Sequence, residues 1–383
     1  MIDMEEFRKK IVHEQVVPKR DAVYTPFPGR MLPGVRAFLE RMGISMLYAH
    51  QGEMFDRVLD GENVVITTST ASGKTLGFLL PVVQEILTAP TTRALFLYPT
   101  KALASDQFRA LGSLLEFFGK SRLQAGIYDG DTPPSERGRI RGSANIILTN
   151  PEMLNATFLP NHNSYGFNFL FANLKYIVVD ELHSYRGAFG SHLANVMKRL
   201  GRICCYYGSS PRFLCSSATI ANPAELAEKI CGCPFSTIEM DGSPSPEKRY
   251  YLWQPPMAGK GDFRISPARE APGLIAKLAL GKTPFLAFCK SRNAVEVVLK
   301  ESRDRLKDAS RDQGAADISS LIAGYRGGYR PMERRAIEEK MAAGELRGLV
   351  ATNVLELGID IGRLDAAVLV GFPGTRASFW QQA

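Results

Sequence analysis

Cysteine is scarce in this chain of 383 residues, with six in all and no C-x-x-C pair among them. Cys231-Gly232-Cys233 and Cys204-Cys205 have no partners at zinc-ligand spacing, and Cys215 and Cys289 end apolar, strand-like runs. These spacings speak against a zinc site or a disulfide framework and favour buried thiols in a reducing compartment. No apolar run reaches the roughly 20 residues of a membrane-spanning helix. The N-terminus from Met1 to Lys10 mixes charges and lacks a signal-peptide apolar stretch, so a cytoplasmic protein without a membrane partner is expected. Low-complexity tracts and internal repeats of roughly 20–50 residues are also absent from the sequence. Acid is in deficit, leaving a net charge of +8. That fits a polyanionic partner only loosely, because the basic residues are scattered and solvated surface accounts for most of them.

What is present is the composition of a globular protein, 45% hydrophobic and 22% charged, over a length that suggests two domains. Its most informative stretch is Thr68-Ser69-Thr70-Ala71-Ser72-Gly73-Lys74-Thr75. Asn63-Val64-Val65-Ile66 before it reads as a buried strand, and Leu76, Phe78, Leu79 and Leu80 after it have helical spacing until Pro81. A strand, a small-residue loop ending in Gly-Lys-Thr, then a helix is the layout that cradles a nucleoside triphosphate such as ATP. Backbone N–H groups and the helix N-terminus face the phosphates. Lys74 then reaches the β and γ oxygens, and the Thr75 hydroxyl holds Mg²⁺. Thr70, Ala71, Ser72 and Gly73 complete the cradle. The strict G-x-x-x-x-G-K-[ST] pattern fails at its first position, where Thr68 stands.

Strand-like runs recur with helical patterns between them at Ala94–Tyr98, Ala144–Thr149, Tyr176–Val179, Phe213–Ser216, Phe285–Phe288, Gly348–Ala351 and Ala366–Val370. This alternation predicts an α/β fold of parallel sheets flanked by helices. The stretch 241–272 is rich in Gly, Ser and Pro and breaks the rhythm. The boundaries expected are an N-terminal extension over 1–48, a first domain over 49–241 and a second over 242–383. Tyr250-Tyr251-Leu252-Trp253 would open the second domain as a strand. Tyr176-Ile177-Val178-Val179 leads into Asp180-Glu181-Leu182-His183, which places two carboxylates at a sheet's carboxyl edge. Asp180 suits Mg²⁺ and Glu181 suits orienting or deprotonating an attacking water, while His183 can touch a neighbouring motif.

Together these motifs resemble the superfamily 2 helicases, and the resemblance runs through nearly the whole chain in order. Tyr48-Ala49-His50-Gln51 is similar to the adenine-recognition motif, with Gln51 reading the base. Pro99 to Gln107, including Thr100, Lys101 and Gln107, resembles motif Ia. Tyr128-Asp129-Gly130-Asp131-Thr132 and Thr149-Asn150-Pro151-Glu152 resemble the next two nucleic-acid motifs, and Ser217-Ala218-Thr219 the motif coupling hydrolysis to strand movement. Phe288 to Arg292, Tyr325 to Tyr329 and Ala351 to Asp360 resemble the later motifs. Arg292, Arg326 and Thr352 then contact nucleic acid and Asp360 contacts the nucleotide. Hydroxyl, amide and basic groups of this kind suit phosphate contacts that carry little sequence information. For each alone a cap or turn role is equally open, Thr149-Asn150-Pro151 being a good turn signal too. Phe379 and Trp380 can stack on a base, although core packing is the favoured reading.

The detailed spellings resemble the bacterial MrfA (YprA) DNA-repair helicase family, related to the RecQ-four-like helicases. The resemblance implies two tandem RecA-like domains facing an ATP cleft and 3′-to-5′ movement on single-stranded or partly duplex DNA. It also implies a repair role, with a repair nuclease as a candidate partner. The pattern of motif VI, Q-x-x-G-R-x-G-R, breaks off at Gln381-Gln382-Ala383, so a truncated chain that binds ATP and hydrolyses it poorly is expected. The family's four-cysteine region is likewise missing. An RNA helicase with the same motor and a non-catalytic nucleic-acid clamp are the rival readings. A small-molecule kinase would leave the motifs after Phe285 without a use.

Overall fold

The computed structural model describes residues 8–69, 72–218, 220–259, 263–312, 317–353 and 364–383. In chain order the strands begin with β1 (Ile11–Val17), β2 (Tyr24–Thr25), β3 (Leu47–Tyr48), β4 (Val64–Thr67) and β5 (Arg93–Leu97). They continue with β6 (Ala125–Ile127), β7 (Ile146–Thr149), β8 (Leu174–Val179), β9 (Arg212–Ser217) and β10 (Ser236–Ile238). Next come β11 (Lys248–Trp253), β12 (Met257–Ala258), β13 (Phe263–Arg264), β14 (Phe285–Cys289), β15 (Ile322–Tyr325), β16 (Gly348–Ala351) and β17 (Ala366–Val370). The chain forms two compact units, Lys19–Pro246, and Met1–Pro18 with Glu247–Ala383.

The first unit is built on a seven-stranded sheet in the order β10-β4-β9-β8-β5-β7-β6, parallel throughout. Its strands are apolar runs buried at every position in β4, β5 and β7, as a parallel sheet covered by helices on both faces requires. Alternate residues divide between the two faces. Val64, Ile66, Phe96, Leu148 and Val178 enter one core, and Val65, Leu97, Ile147, Val179 and Cys215 enter the other. The second unit repeats the scheme with a four-stranded parallel sheet, β15-β16-β14-β17. Both sheets are RecA-like. Among the described residues no helix is long and apolar enough to cross a membrane.

Several expectations change. Residues 1–48 do not form one extension: β1 pairs antiparallel with β11 in the second unit, whereas the helix Pro33–Arg41 lies in the first and buries Val35, Phe38 and Leu39. The helix after the phosphate loop does not stop at Pro81 but runs over Lys74–Thr88. An interior proline costs about 3 kcal/mol. That cost is outweighed here because Leu80, Val82, Val83 and Ile86 beyond the phosphate end are buried. Cys204, Cys215 and Cys289 are buried thiols, but Cys205 is exposed at the end of the helix Gly187–Tyr206. Trp380, expected in a core, is 57% exposed, with only an edge of the ring against Tyr250 and Phe379.

Phe78 lies in the helix Lys74–Thr88, fully buried edge-on to Phe96 of β5. Phe78→Ala is expected to destabilise the first unit by about 3–5 kcal/mol in urea denaturation. Met332→Ala in the second unit, at a side chain 82% exposed, is expected to change nothing measurable.

Candidate nucleotide and nucleic-acid site

The sheet order decides which motifs meet. β9 lies between β4 and β8, and β8 adjoins β5, so the loops at the carboxyl ends of these four strands are neighbours. The loop after β4 enters the helix Lys74–Thr88 through Gly73, its N-cap, which holds the left-handed φ of +79°. A Cβ there would lie 2.6 Å from the Gln51 side-chain nitrogen, so only glycine fits both the conformation and the space. Thr68 needs no such freedom: its hydroxyl pairs with that of Ser72 at 2.6 Å and closes the loop across its base.

Lys74 donates to the carbonyl oxygens of Thr68 and Ser69 at 2.9 and 2.8 Å. Burial lowers its pKa, against the opposing pull of the Glu181, Asp180 and Asp241 charges. The Thr75 hydroxyl donates to the Gln107 side-chain oxygen at 3.1 Å. Gln107, expected on the nucleic-acid side, is therefore brought to the phosphate loop by the helix Lys101–Ala110. Gln51 is buried, giving a hydrogen bond to the Gly73 carbonyl and taking one from the Tyr48 N–H, both at 3.0 Å.

Asp180 follows β8 and is buried, its carboxylate accepting from the Ser216 hydroxyl and from the Glu181 N–H. Burial raises its pKa, while Ser216, Lys74 and the Glu181 amide hold it down. Glu181 takes the left-handed region at φ +52°, which costs a side-chain-bearing residue about 1–2 kcal/mol. Strain of this kind concentrates at functional sites. Burial, then the Asp180 charge, pushes the Glu181 carboxyl up to about 7. Asp180 has two donors, the Ser216 hydroxyl and the Glu181 N–H, that favour its charged form. His183 Nδ1 accepts the Ala218 N–H at 3.1 Å and lies 3.4 Å from the Ser217 hydroxyl and 3.5 Å from Glu181. It thus joins the carboxylate pair to the Ser217-Ala218 segment. Thr70, Ala71, Thr219 and Asp360 lie outside the described residues.

The expected nucleic-acid residues fall into two kinds. Thr100 and Asn150 cap helices, accepting from the N–H groups of Leu103 and Met153, and the Thr149 hydroxyl is buried against the Tyr128 carbonyl. Asp129 is buried in a turn, accepting from the Asp131 N–H and the Thr132 hydroxyl, and the Gly130 carbonyl meets Arg137. These five shape loops. Lys101 is different: half exposed, it pairs with Asp131 at 2.9 Å. In the second unit Arg326 pairs with Glu296 at 2.6 Å and lies over the Tyr329 ring. Arg292 has its guanidinium beside Gly327, and Thr352 is buried with its N–H on the Tyr325 carbonyl.

Motif analysis missed Ser216, which precedes the Ser217-Ala218-Thr219 signature, and Asp241, which lies in the Gly- and Pro-rich stretch after β10. Asp241 accepts from the Ser69 N–H and hydroxyl at 3.1 and 2.6 Å. Nothing in the local sequence distinguishes it from a turn residue.

A parallel sheet with Gly-Lys-Thr after one strand and Asp-Glu-Leu-His after another, two places away, defines the nucleotide-binding domain of a helicase. A family model for the DEAD/DEAH box helicases matches residues 48–226, and one for the helicase conserved C-terminal domain matches 274–383. The chain belongs to this helicase family. It is 44% identical over 376 residues to the ATP-dependent helicase YprA of Bacillus subtilis, covering 98% of this chain and 49% of that protein. It is 39% identical over 382 residues to the ATP-dependent helicase HRQ1 of Saccharomyces cerevisiae, covering 98% and 35%. The crystal structure of the DUF1998 helicase MrfA bound to DNA and AMPPNP is similar at a TM-score of 0.92 and 43% identity. It is matched over all of this chain and 53% of that one. The chain thus spans between about a third and a half of the length of these relatives.

Protonation of Glu181 has a measurable consequence. An unfolded glutamate titrates near 4.5 and the folded one at about 7, so between these values the folded state holds more protons. Stability then falls as pH rises through that window. Glu181→Gln removes the fall. Its melting temperature relative to the unmodified protein should climb from pH 4.5 to 7 and level off above, whereas a pH-independent difference rules this protonation out.

Proposed function

We propose that this chain carries the ATP-driven motor of a DNA helicase. The observation that supports it most directly is the gathering of Lys74, Thr75, Asp180 and Glu181 at the carboxyl edge of one parallel sheet, with a helix N-terminus among them. Lys74 exchanges two carbonyl oxygens for the β and γ phosphate oxygens. Asp180 and the Thr75 hydroxyl are hard oxygen donors of the kind Mg²⁺ takes, and their donor set fits that ion. When bound, Mg²⁺ would neutralise charge on the β and γ oxygens. Gln107 holds the Thr75 hydroxyl proton and leaves its oxygen lone pairs directed elsewhere. Glu181, with its raised pKa, is suited to accept a proton from the attacking water. His183 passes a change at that carboxylate to Ser217 and Ala218.

DNA is the polymer we infer, because the similar MrfA structure is described as bound to DNA. Movement in the 3′-to-5′ direction and a role in DNA repair are part of the same reading, supported by the motif spellings. The motor is tested by ATP binding and steady-state hydrolysis with single-stranded DNA, with matched RNA and with neither. ATP binding is expected, and Lys74→Ala is expected to weaken it by about tenfold or more. Binding indifferent to Lys74→Ala would refute the phosphate-loop assignment, and stimulation by RNA alone would move the substrate to RNA.

The Lys101–Asp131 pair gives a further expectation for the nucleic-acid side. Asp131 is exposed and competes with a phosphate for Lys101. Asp131→Asn should tighten binding to single-stranded DNA by about two- to fivefold at fixed ionic strength, read by fluorescence anisotropy. Unchanged or weaker binding would remove Lys101 from the DNA path.

A further inference from the structure

The phosphate loop is tied on both limbs to the segment by which the chain leaves the first unit. On the first limb, the Asp241 carboxylate accepts from the Ser69 N–H and hydroxyl through one oxygen. Through the other it accepts from the Ser243 N–H and hydroxyl at 3.0 and 2.6 Å. Arg20 pairs with the same carboxylate at 2.8 Å and donates to the Ser243 carbonyl. On the second limb stands His50, fully buried. Its Nδ1 accepts the Gly242 N–H at 3.1 Å, which leaves the proton on Nε2, and Nε2 donates to the Ser72 carbonyl at 3.0 Å. Both ring nitrogens are thus used, one on the loop and one on the exit segment.

The exit segment has little freedom of its own. A Cβ on Gly242 would lie 2.8 Å from the Val23 carbonyl oxygen and 2.9 Å from the Ala49 nitrogen, both backbone atoms. Val23 and Ala49 are hydrogen-bonded to each other, and the Val23 N–H donates to the Gly242 carbonyl. Burial works against the Asp241 charge, yet the four hydrogen bonds from Ser243 and Ser69 hold its carboxyl well below the usual range. An ionised, saturated carboxylate at this junction does no proton chemistry. Its geometry is that of a clamp.

We propose that Asp241 and His50 are positioning residues of the nucleotide site, which couple the conformation of the phosphate loop to that of the exit segment Asp241–Ser243. The inference rests on the nucleotide-site reading above and adds to it. Lys74 sets the mechanism in motion. While it donates to the Thr68 and Ser69 carbonyls, Ser69 is held from both sides, by Lys74 at its oxygen and by Asp241 at its nitrogen. Transfer of Lys74 to phosphate releases the first contact and leaves Asp241 and His50 as the loop's anchors. Whatever shift the loop then makes is delivered to Asp241 and Gly242, a few residues before Glu247, where the second unit resumes. By linkage the converse holds: altering the exit segment must alter nucleotide affinity.

The test uses the full chain, with AMPPNP and Mg²⁺ as the probe. Two readouts are taken: affinity by calorimetry, and amide exchange of the peptide 239–246 with and without nucleotide. A merely structural tether would not give the second. In the unmodified protein nucleotide should change exchange in 239–246. Asp241→Asn should weaken AMPPNP binding about tenfold and abolish that change. Ser69→Ala, which removes one hydroxyl and keeps the fold, should act in the same direction more weakly, and it decides the matter should Asp241→Asn fail to fold. Asp21→Asn, an equal charge change at an exposed pair with Lys19, should leave both readouts unaltered. Affinity within twofold for Asp241→Asn, or exchange in 239–246 indifferent to nucleotide, overturns the coupling while leaving the nucleotide site intact. Absence of AMPPNP binding by the unmodified protein overturns the nucleotide-site reading itself, and the coupling with it.

Discussion

A parallel sheet buried on both faces leaves chemistry nowhere to go but its ends. In the first unit every residue of β4, β5 and β7 is buried, and alternate side chains are spent on two separate cores. Polar groups therefore gather at the strand ends and in the loops, and in a parallel sheet all strands point their carboxyl ends the same way. The strand order then fixes which loops meet. Because β9 separates β4 from β8, the Ser216 hydroxyl lies within reach of Asp180, and Ser217 within reach of His183. Because β5 adjoins β8, the helix after β5 brings Gln107 to Thr75. The contacts between motifs far apart in sequence follow from this one topological arrangement.

Burial that builds the site also sets its electrostatics. One cation and two carboxylates share a region poor in water, and each is pushed toward neutrality: Lys74 downward, Asp180 and Glu181 upward. Hydrogen bonds break the symmetry between the two acids. Asp180 accepts from Ser216 and from a backbone N–H, donors that favour its charged form, whereas Glu181 is raised by burial and by the Asp180 charge. The same turn that puts Glu181 beside Asp180 forces it into a left-handed backbone. Two unfavourable terms at one residue are a stability cost, and both suit the proton-accepting role proposed for Glu181.

What the sequence made legible was what is short in range. The apolar runs at Tyr176–Val179, Phe285–Phe288 and Ala366–Val370 are strands within a residue or two, and the residues at their ends are where period and turn chemistry put them. Thr100 and Asn150 were open between capping and contact, and both cap. Long-range pairing decided the rest. The strand Ile11–Val17 pairs with β11, more than two hundred residues away, and its β-branched ends, Ile11-Val12 and Val16-Val17, suit a strand without naming that partner. Pro81 reads as a helix stop until the buried face that holds the helix together is known. Asp241 has no signal at all: its partners Ser69 and Arg20 come to it only through folding.

The basic groups proposed to meet phosphate are not idle in this structure, and their partners differ in a way that bears on mechanism. Lys101 and Arg326 hold carboxylates on partly exposed side chains, where water screens the pair and an ion pair is worth on the order of 0–1 kcal/mol. A nucleic-acid phosphate can replace Asp131 or Glu296 at little cost. Lys74 instead holds two backbone carbonyls in a region where burial alone lowers its pKa. The Thr68 carbonyl, on a buried residue, loses a charged donor when the lysine leaves, whereas water can replace it at the exposed Ser69 carbonyl. The nucleic-acid contacts proposed for Lys101 and Arg326 would thus form and break near balance. The nucleotide contact proposed for Lys74 instead requires two carbonyl hydrogen bonds to be given up. In the motor proposed above, exchange at the phosphate loop therefore costs more hydrogen bonds than exchange at Lys101 or Arg326.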